Sequence, residues 1–139
     1  MTLSIRNQIP GTVTSLTAGE AMAAVKVRLT GGQDVTAAIT TESVNDLGLT
    51  EGSEVKTLVK STEVSLATGP LQGISIRNQI AGTVTDISTG KAMASVKIDV
   101  EGGALTAAIT KDAVDELRLA VGSPVVALIK STEVSLATA

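Results

Sequence analysis

The sequence predicts an all-β protein made of two tandem modules. Two observations predict the β class. The apolar residues are mostly Val, Ile, Leu and Ala in segments with partial period-two alternation, and Gly-containing turns separate these segments. A third observation, an internal repeat, gives the number of modules. Length alone would allow one domain, since 139 residues is an ordinary domain size.

The repeat begins and ends on motifs that recur almost unchanged. Ser4-Ile5-Arg6-Asn7-Gln8-Ile9 returns as residues 75–80, and the nine residues of Lys60–Thr68 return as Lys130–Thr138. Chance does not produce a nine-residue identity in a chain this short. Between the copies, Gly69-Pro70-Leu71-Gln72-Gly73 has the composition of a short linker. We therefore expect a first module at residues 1–68, a linker at 69–73 and a second module at 74–139.

The pattern within the first copy predicts three strands before a helix. Residues 11–17 and 20–30 are rich in β-branched side chains and are separated by Ala18-Gly19, so they should form a hairpin. Gly31-Gly32 then turns the chain into a third strand around Val35–Ile39.

A short helix follows the third strand. Thr40 suits the N-cap, Glu42 falls in the first turn, and Gly48 supplies a stop at the carboxyl end. Two more strands, at Val55–Val59 and Val64–Ala67, complete the copy. Five strands with one short helix between the third and the fourth are the elements of a small OB-like five-stranded barrel. The second copy repeats the pattern, so two such modules are expected.

The composition predicts a thin core and an assembly of several chains. Phe, Trp and Tyr are absent, so burial must come from Val, Ile, Leu, Ala and Met. A module of about 65 residues buries only roughly 60% of its unfolded surface, and Cys is absent, so disulfides cannot compensate. We therefore expect homo-oligomerisation.

Absent residue types exclude most catalytic sites. Without Cys or His there is no thiolate zinc site, cysteine nucleophile or histidine base, and we expect no enzyme activity. The acidic residues show no calcium-loop spacing, so no bare metal cation is expected. A net charge of −3 with no aromatic side chains argues against nucleic acid as a partner.

No membrane role is expected. The apolar stretches are far shorter than the ~20 residues that a membrane-spanning helix needs, and the residues after Met1 do not resemble a signal peptide. We therefore expect a cytoplasmic location.

The repeated motifs resemble the signatures of a known family. Residues 4–13 are similar to the opening SARN…GTV signature of molbindin (Mop) domains, and the second copy matches equally well. Lys60-Ser61 and Lys130-Ser131 are similar to the family's other signature, a Lys-Ser pair between the last two strands. The tandem arrangement resembles the di-Mop members. Ile5 and Ile76 depart from the usual Ala, and Pro10 is not repeated in the second copy.

The resemblance implies a homotrimer that holds molybdate or tungstate at subunit and module interfaces. Molybdate is a tetrahedral dianion with four acceptor oxygens and no proton to donate, so its site should consist of donors: Ser, Thr, Lys, Arg and backbone N–H groups. The motif match carries the family's binding positions onto Ser4, Arg6, Asn7, Lys60, Ser61, Ser75, Arg77, Asn78, Lys130 and Ser131. Thr40 and Thr110 are further candidates, because a helix N-terminus offers free N–H groups, although capping explains both equally well.

The expected function is binding of the oxyanion for intracellular molybdenum storage and homeostasis, with no bond-making. Two alternatives stay open: a module that assembles through strand edges and binds no ligand, and an oxyanion sensor that acts through a partner protein. The sequence does not choose between molybdate and tungstate, since the two anions share charge and shape.

Overall fold

Ten strands and two α-helices occur in the part of the chain that the computed structural model describes, residues 2–138; Met1 and Ala139, the outer ends of the two expected modules, lie outside it. The elements are β1 (Asn7–Ala18), β2 (Met22–Leu29), β3 (Asp34–Thr40), α1 (Thr41–Leu47), β4 (Glu54–Val59), β5 (Ser65–Ala67), β6 (Asn78–Thr89), β7 (Met93–Val100), β8 (Gly103–Thr110), α2 (Lys111–Glu116), β9 (Pro124–Ile129) and β10 (Ser135–Thr138). A one-turn 3-10 helix precedes β5, at Ser61–Glu63, and another precedes β10, at Ser131–Glu133. We call them the first and second 3-10 turns.

The strands form two antiparallel five-stranded sheets, in the orders β10-β4-β1-β2-β3 and β5-β9-β6-β7-β8. Alternate residues of β2 and β7 are buried, as expected for strands with one face on a core. The predicted all-β class, with two five-stranded modules and one short helix in each, is confirmed. The 3-10 turns were not predicted, because three residues leave no periodic signal.

The last strand of each repeat pairs in the other repeat's sheet. Ser135 lies opposite Leu58 in the first sheet, and Ser65 lies opposite Leu128 in the second. The chain therefore leaves the first sheet after β4, adds β5 to the second sheet, builds that sheet through β9, and returns β10 to the first. Each sheet thus takes four strands from one repeat and one from the other.

A bend in β1 lets this strand serve two neighbours. Its first half pairs with β4 and its second half with β2, and the register shifts between Val13 and Ser15, as at a β-bulge. Gly11 lies where the two pairings overlap, and a Cβ there would stand 2.5 Å from Val27 Cγ1 and 2.8 Å from the Arg28 carbonyl oxygen. Only glycine fits this crossing, and Gly82 occupies the same position in β6.

The helix predicted in the first repeat is confirmed, and so are the residues predicted to begin and end it. The Thr40 side chain accepts a hydrogen bond from the Ser43 N–H at 3.1 Å, and Gly48 takes the left-handed conformation at φ 62°. The second helix is capped in the same way by Thr110, but Arg118 takes the left-handed conformation at φ 53°. Neither described helix has the length and apolar character needed to cross a membrane.

Two buried asparagines fasten the modules to each other. Asn7, 3% exposed, donates from Nδ2 to the Thr106 carbonyl at 2.9 Å and accepts from the Thr106 N–H at 2.8 Å. Asn78 makes the same pair of hydrogen bonds with Thr36. Each carboxamide therefore donates to and accepts from one backbone position, as a neighbouring strand would. It pairs with the edge of β8 or β3, which would otherwise expose unpaired backbone groups.

A threonine hydroxyl in the core lacks a partner. Thr57 in β4 is 3% exposed, and within residues 2–138 its Oγ1 makes no hydrogen bond. The corresponding residue of β9 is Ala127, which is fully buried. A buried hydroxyl without a partner costs about 1–3 kcal/mol.

Thr57→Val is therefore expected to raise the free energy of unfolding by about 1 kcal/mol, because it keeps the shape and removes the unsatisfied hydroxyl. Urea unfolding followed by circular dichroism measures the change. Ala127→Thr is the matched reverse substitution and should destabilise the protein. A destabilised Thr57→Val variant would show that the hydroxyl has a partner.

Candidate functional site

The two repeated motifs of the first repeat meet in one hollow. A cavity of about 170 Å³ is lined by the segment before β1 and by the residues that follow β4: Ser4, Ile5, Arg6, Lys60, Ser61 and Thr62. Four of these six residues are sequence-predicted ligand positions. They are far apart in the chain, so the fold has to bring them together.

The pairing of β1 with β4 accounts for this meeting. Asn7 lies opposite Val59 at the end of the antiparallel ladder, and continuing the register by one residue sets Arg6 opposite Lys60. The second repeat has the same register, with Asn78 opposite Ile129, so Arg77 corresponds to Arg6 and Lys130 to Lys60. Motifs at the two ends of a repeat are therefore neighbours in space.

The segment before β1 is shaped by its own side chains. Arg6 Nε donates to the Ser4 carbonyl at 3.1 Å and its Nη2 donates to the Leu3 carbonyl at 3.5 Å, while Gln8 Nε2 donates to the Ile5 carbonyl at 2.9 Å. Three consecutive carbonyl oxygens are thereby engaged. The second repeat has the same bonds, from Arg77 and Gln79 to the carbonyls of residues 74–76. This arrangement reduces the acceptor capacity of the segment and leaves further guanidinium N–H groups of the arginine free to donate.

The first 3-10 turn adds backbone donors. Its first internal bond runs from the Glu63 N–H to the Lys60 carbonyl at 2.9 Å. The N–H groups of Ser61 and Thr62 precede that bond, and among the described residues neither has an acceptor. Free N–H groups at the start of a helical turn are available to an anion.

The hollow is lined by donors and by no carboxylate among residues 2–138. Its charged groups are Arg6 and Lys60, and its hydroxyls belong to Ser4, Ser61 and Thr62. Such a lining suits an anion that offers acceptors on every side and carries no proton.

The second repeat holds the corresponding residues at its own junction: Ser75, Arg77, Lys130 and Ser131. Ser131 Oγ is buried and has no hydrogen-bond partner within the described part of the chain. Buried polar atoms are nearly always bonded, so an unpaired hydroxyl at this position is unusual.

Four predicted positions lie neither in the hollow nor at the corresponding junction of the second repeat. The carboxamides of Asn7 and Asn78 bond to Thr106 and Thr36 and face the opposite module. Thr40 and Thr110 are exposed helix caps whose hydroxyls accept from Ser43 N–H and Ala113 N–H. Neither pair lines the hollow around Lys60.

Sequence reasoning missed Thr62 and a second hollow beside the first. This smaller cavity, of about 120 Å³, shares Ile5 and Lys60 with the first and adds Leu58, Thr132, Glu133 and Ser135. Thr62 and Glu133 belong to the unchanged nine-residue repeat, and that identity was the signal available for finding them. Lys60 therefore lines two hollows, one formed by its own repeat and one formed by both repeats.

A larger open groove does not suit the same ligand. It has a volume of about 660 Å³ and crosses the outer face of β1, β2 and β4. Of its two lining cations, Arg28 is paired with Asp34 at 3.1 Å, and Glu54 lines the groove together with Lys56. Carboxylates at the groove repel a dianion and so disfavour its binding there.

Comparison with known proteins gives a family match for both repeats. The sequence profile of the TOBE domain matches residues 3–66 and again residues 74–136. The chain is 38% identical to the molybdenum transport protein ModE of Herbaspirillum seropedicae, over 99% of this chain and 52% of that protein. It is 41% identical to the molybdenum-pterin-binding protein MopB of Rhodobacter capsulatus, over 96% of this chain and 50% of that protein. The chain thus spans about half the length of these relatives.

Among solved structures, a similar chain is that of the cytoplasmic molybdate-binding protein ModG with molybdate bound. The two align with a TM-score of 0.97 and 39% sequence identity, over 100% of both chains. The likeness therefore includes the placement of the two sheets relative to each other.

Proposed function

We propose that this chain, which belongs to the TOBE domain family, binds molybdate as an intact tetrahedral oxyanion. The observation that carries the proposal is the hollow around Lys60, whose lining supplies cations, hydroxyls and free N–H groups and no carboxylate. The likeness to ModG, a molybdate-binding protein, over the whole chain supports the same ligand.

The proposed roles follow from the geometry. Lys60 and the free N–H groups of Arg6 neutralise the dianion, and the hydroxyls of Ser4 and Ser61 donate to its oxygens. The backbone N–H groups of Ser61 and Thr62 complete the set of donors. A second site of the same kind is proposed at Ser75, Arg77, Lys130 and Ser131. Asn7 and Asn78 support the sites by holding the modules together.

The protein releases the same anion that it takes up, so its proposed role is storage and buffering rather than catalysis. Tungstate, which has the same charge and shape, is proposed as a second ligand. The cytoplasm is the proposed location, as for ModG. We also propose a homotrimer: the thin, aromatic-free core favours oligomerisation, and the resemblance to molbindins implies three chains. Native mass spectrometry should then give about 42 kDa, three times the 14.0 kDa of one chain.

Calorimetric titration with molybdate, tungstate, sulfate and phosphate tests the ligand. Molybdate and tungstate should bind with a Kd of about 1 μM or lower, near −8 kcal/mol. Hydrogen phosphate should bind more weakly, because its hydroxyl leaves one acceptor oxygen fewer for the donors and no carboxylate lines the hollow to take its proton. Equal weak binding of all four anions would instead favour a ligand-free assembly module.

A sensor is the second candidate function. The chain corresponds to about half of relatives such as the transcriptional regulator ModE of Yersinia pestis, to which it is 34% identical over 97% of this chain. A sensor would bind the same anion and also a partner protein in an anion-dependent way. Pull-down with and without molybdate distinguishes it from a storage protein.

A further inference from the structure

We propose that Glu133, and Glu63 in the other half of the molecule, compete with the bound oxyanion for the lysine of each site. This inference rests on the proposed oxyanion binding. It assigns to the two carboxylates control over how tightly the anion is held and how fast it leaves.

The strand exchange brings each glutamate to the lysine of the other repeat. In the first sheet, Ser135 lies opposite Leu58. Glu133 ends the 3-10 turn two residues before Ser135, and Lys60 follows Leu58 by two residues. In the second sheet, Ser65 lies opposite Leu128, and Glu63 and Lys130 have the same positions relative to that pair. Opposite charges brought to neighbouring positions attract each other.

The second hollow shows the same neighbourhood independently. Lys60 and Glu133 both line it, and among the described residues around the two hollows Glu133 is the one carboxylate. The hollow is small, about 120 Å³, so Lys60 and Glu133 lie on one small surface. The interaction between two such partly exposed charges weakens as the salt concentration rises.

Glu133 lowers the affinity in two ways. The Lys60 ammonium sits between a carboxylate on one side and the donor-lined hollow on the other, so attraction to Glu133 must be partly given up when Lys60 turns to an anion. The carboxylate also repels an incoming dianion through space. As the anion leaves, the Lys60 ammonium turns again toward the Glu133 carboxylate, and this attraction speeds release. A storage protein needs such release in order to return its cargo.

Molybdate titration of the Glu63→Gln/Glu133→Gln variant tests the proposal. Gln keeps the size of the side chain and removes the charge, so the Kd should fall about threefold to tenfold. The dissociation rate, measured by stopped-flow dilution, should fall by a similar factor. Raising the salt concentration should shrink the difference from wild type, which a purely structural role of the glutamates would not produce.

The Glu20→Gln/Glu101→Gln variant is the matched control. It changes the net charge equally, has one substitution in each repeat, and alters exposed residues that line neither hollow. Its Kd should stay within a factor of about two of wild type, as expected for distant screened charges. An unchanged or raised Kd for the Glu63→Gln/Glu133→Gln variant, or an equal gain in the control, overturns the proposal while leaving oxyanion binding intact. A wild-type chain that binds no molybdate overturns both.

Discussion

The Lys60→Ala/Lys130→Ala variant is expected to bind molybdate about ten to a hundred times more weakly at each site than the wild-type chain. A hydrogen bond to a charged group contributes about 1.5–3 kcal/mol, and each substitution removes one cation from a donor-lined hollow. Both lysines are exposed, so the fold should survive and the melting temperature without anion should be unchanged. Calorimetric titration measures the loss, and the rise in melting temperature on adding molybdate should shrink with it.

Lys26→Ala/Lys97→Ala is the control for net charge. These lysines occupy one repeat position, on the exposed faces of β2 and β7, and neither lines the hollow around Lys60. Molybdate should bind this variant nearly as well as it binds wild type. If the control loses as much affinity as the Lys60→Ala/Lys130→Ala variant, overall charge rather than the hollow holds the anion.

The Asn7→Ala variant is expected to lose about 2–4 kcal/mol of unfolding free energy. The substitution removes two hydrogen bonds and leaves the Thr106 N–H and carbonyl groups without a partner at a part-buried position. Asn78→Ala should cost a similar amount at Thr36. Urea unfolding measures both variants.

Gln8→Ala provides the comparison for this effect. Gln8 is adjacent in sequence and exposed, and its side chain bonds only locally, to the Ile5 carbonyl. Its substitution should change stability by about 0.5 kcal/mol or less. A loss for Asn7→Ala no larger than this would mean that the asparagine bonds do not hold the modules together.

Local signals predicted the strands and the helix, because period-two alternation and the cap pair Thr40 and Gly48 act within a few residues. The exchange of β5 and β10 had no such signal. The two strands have the same sequence, and each faces a leucine at the corresponding position, Leu58 or Leu128. The sequence pattern therefore fits pairing within a repeat as well as pairing between repeats. Only the path of the chain after β4 determines which sheet the last strand joins.

The same limit applies to the candidate site. Ser4, Arg6, Lys60 and Ser61 could be predicted because two motifs recur and resemble a family signature. The hydrogen bonds of Asn7 join residues 99 positions apart, and no sequence period reports a contact of that range. Asn7 was therefore grouped with its motif neighbours, whereas its side chain is turned toward the other module. Glu133 was overlooked because its nearness to Lys60 depends on the strand exchange.

Anomalous X-ray diffraction from a crystal grown with molybdate tests the central claim most directly. With data collected at the molybdenum absorption edge, the anomalous signal locates each metal atom without reference to the protein atoms. Peaks are predicted in the hollow between Arg6 and Lys60 and at the corresponding position between Arg77 and Lys130. Peaks confined to the open groove beside Arg28, or no peaks at saturating molybdate, would contradict the account.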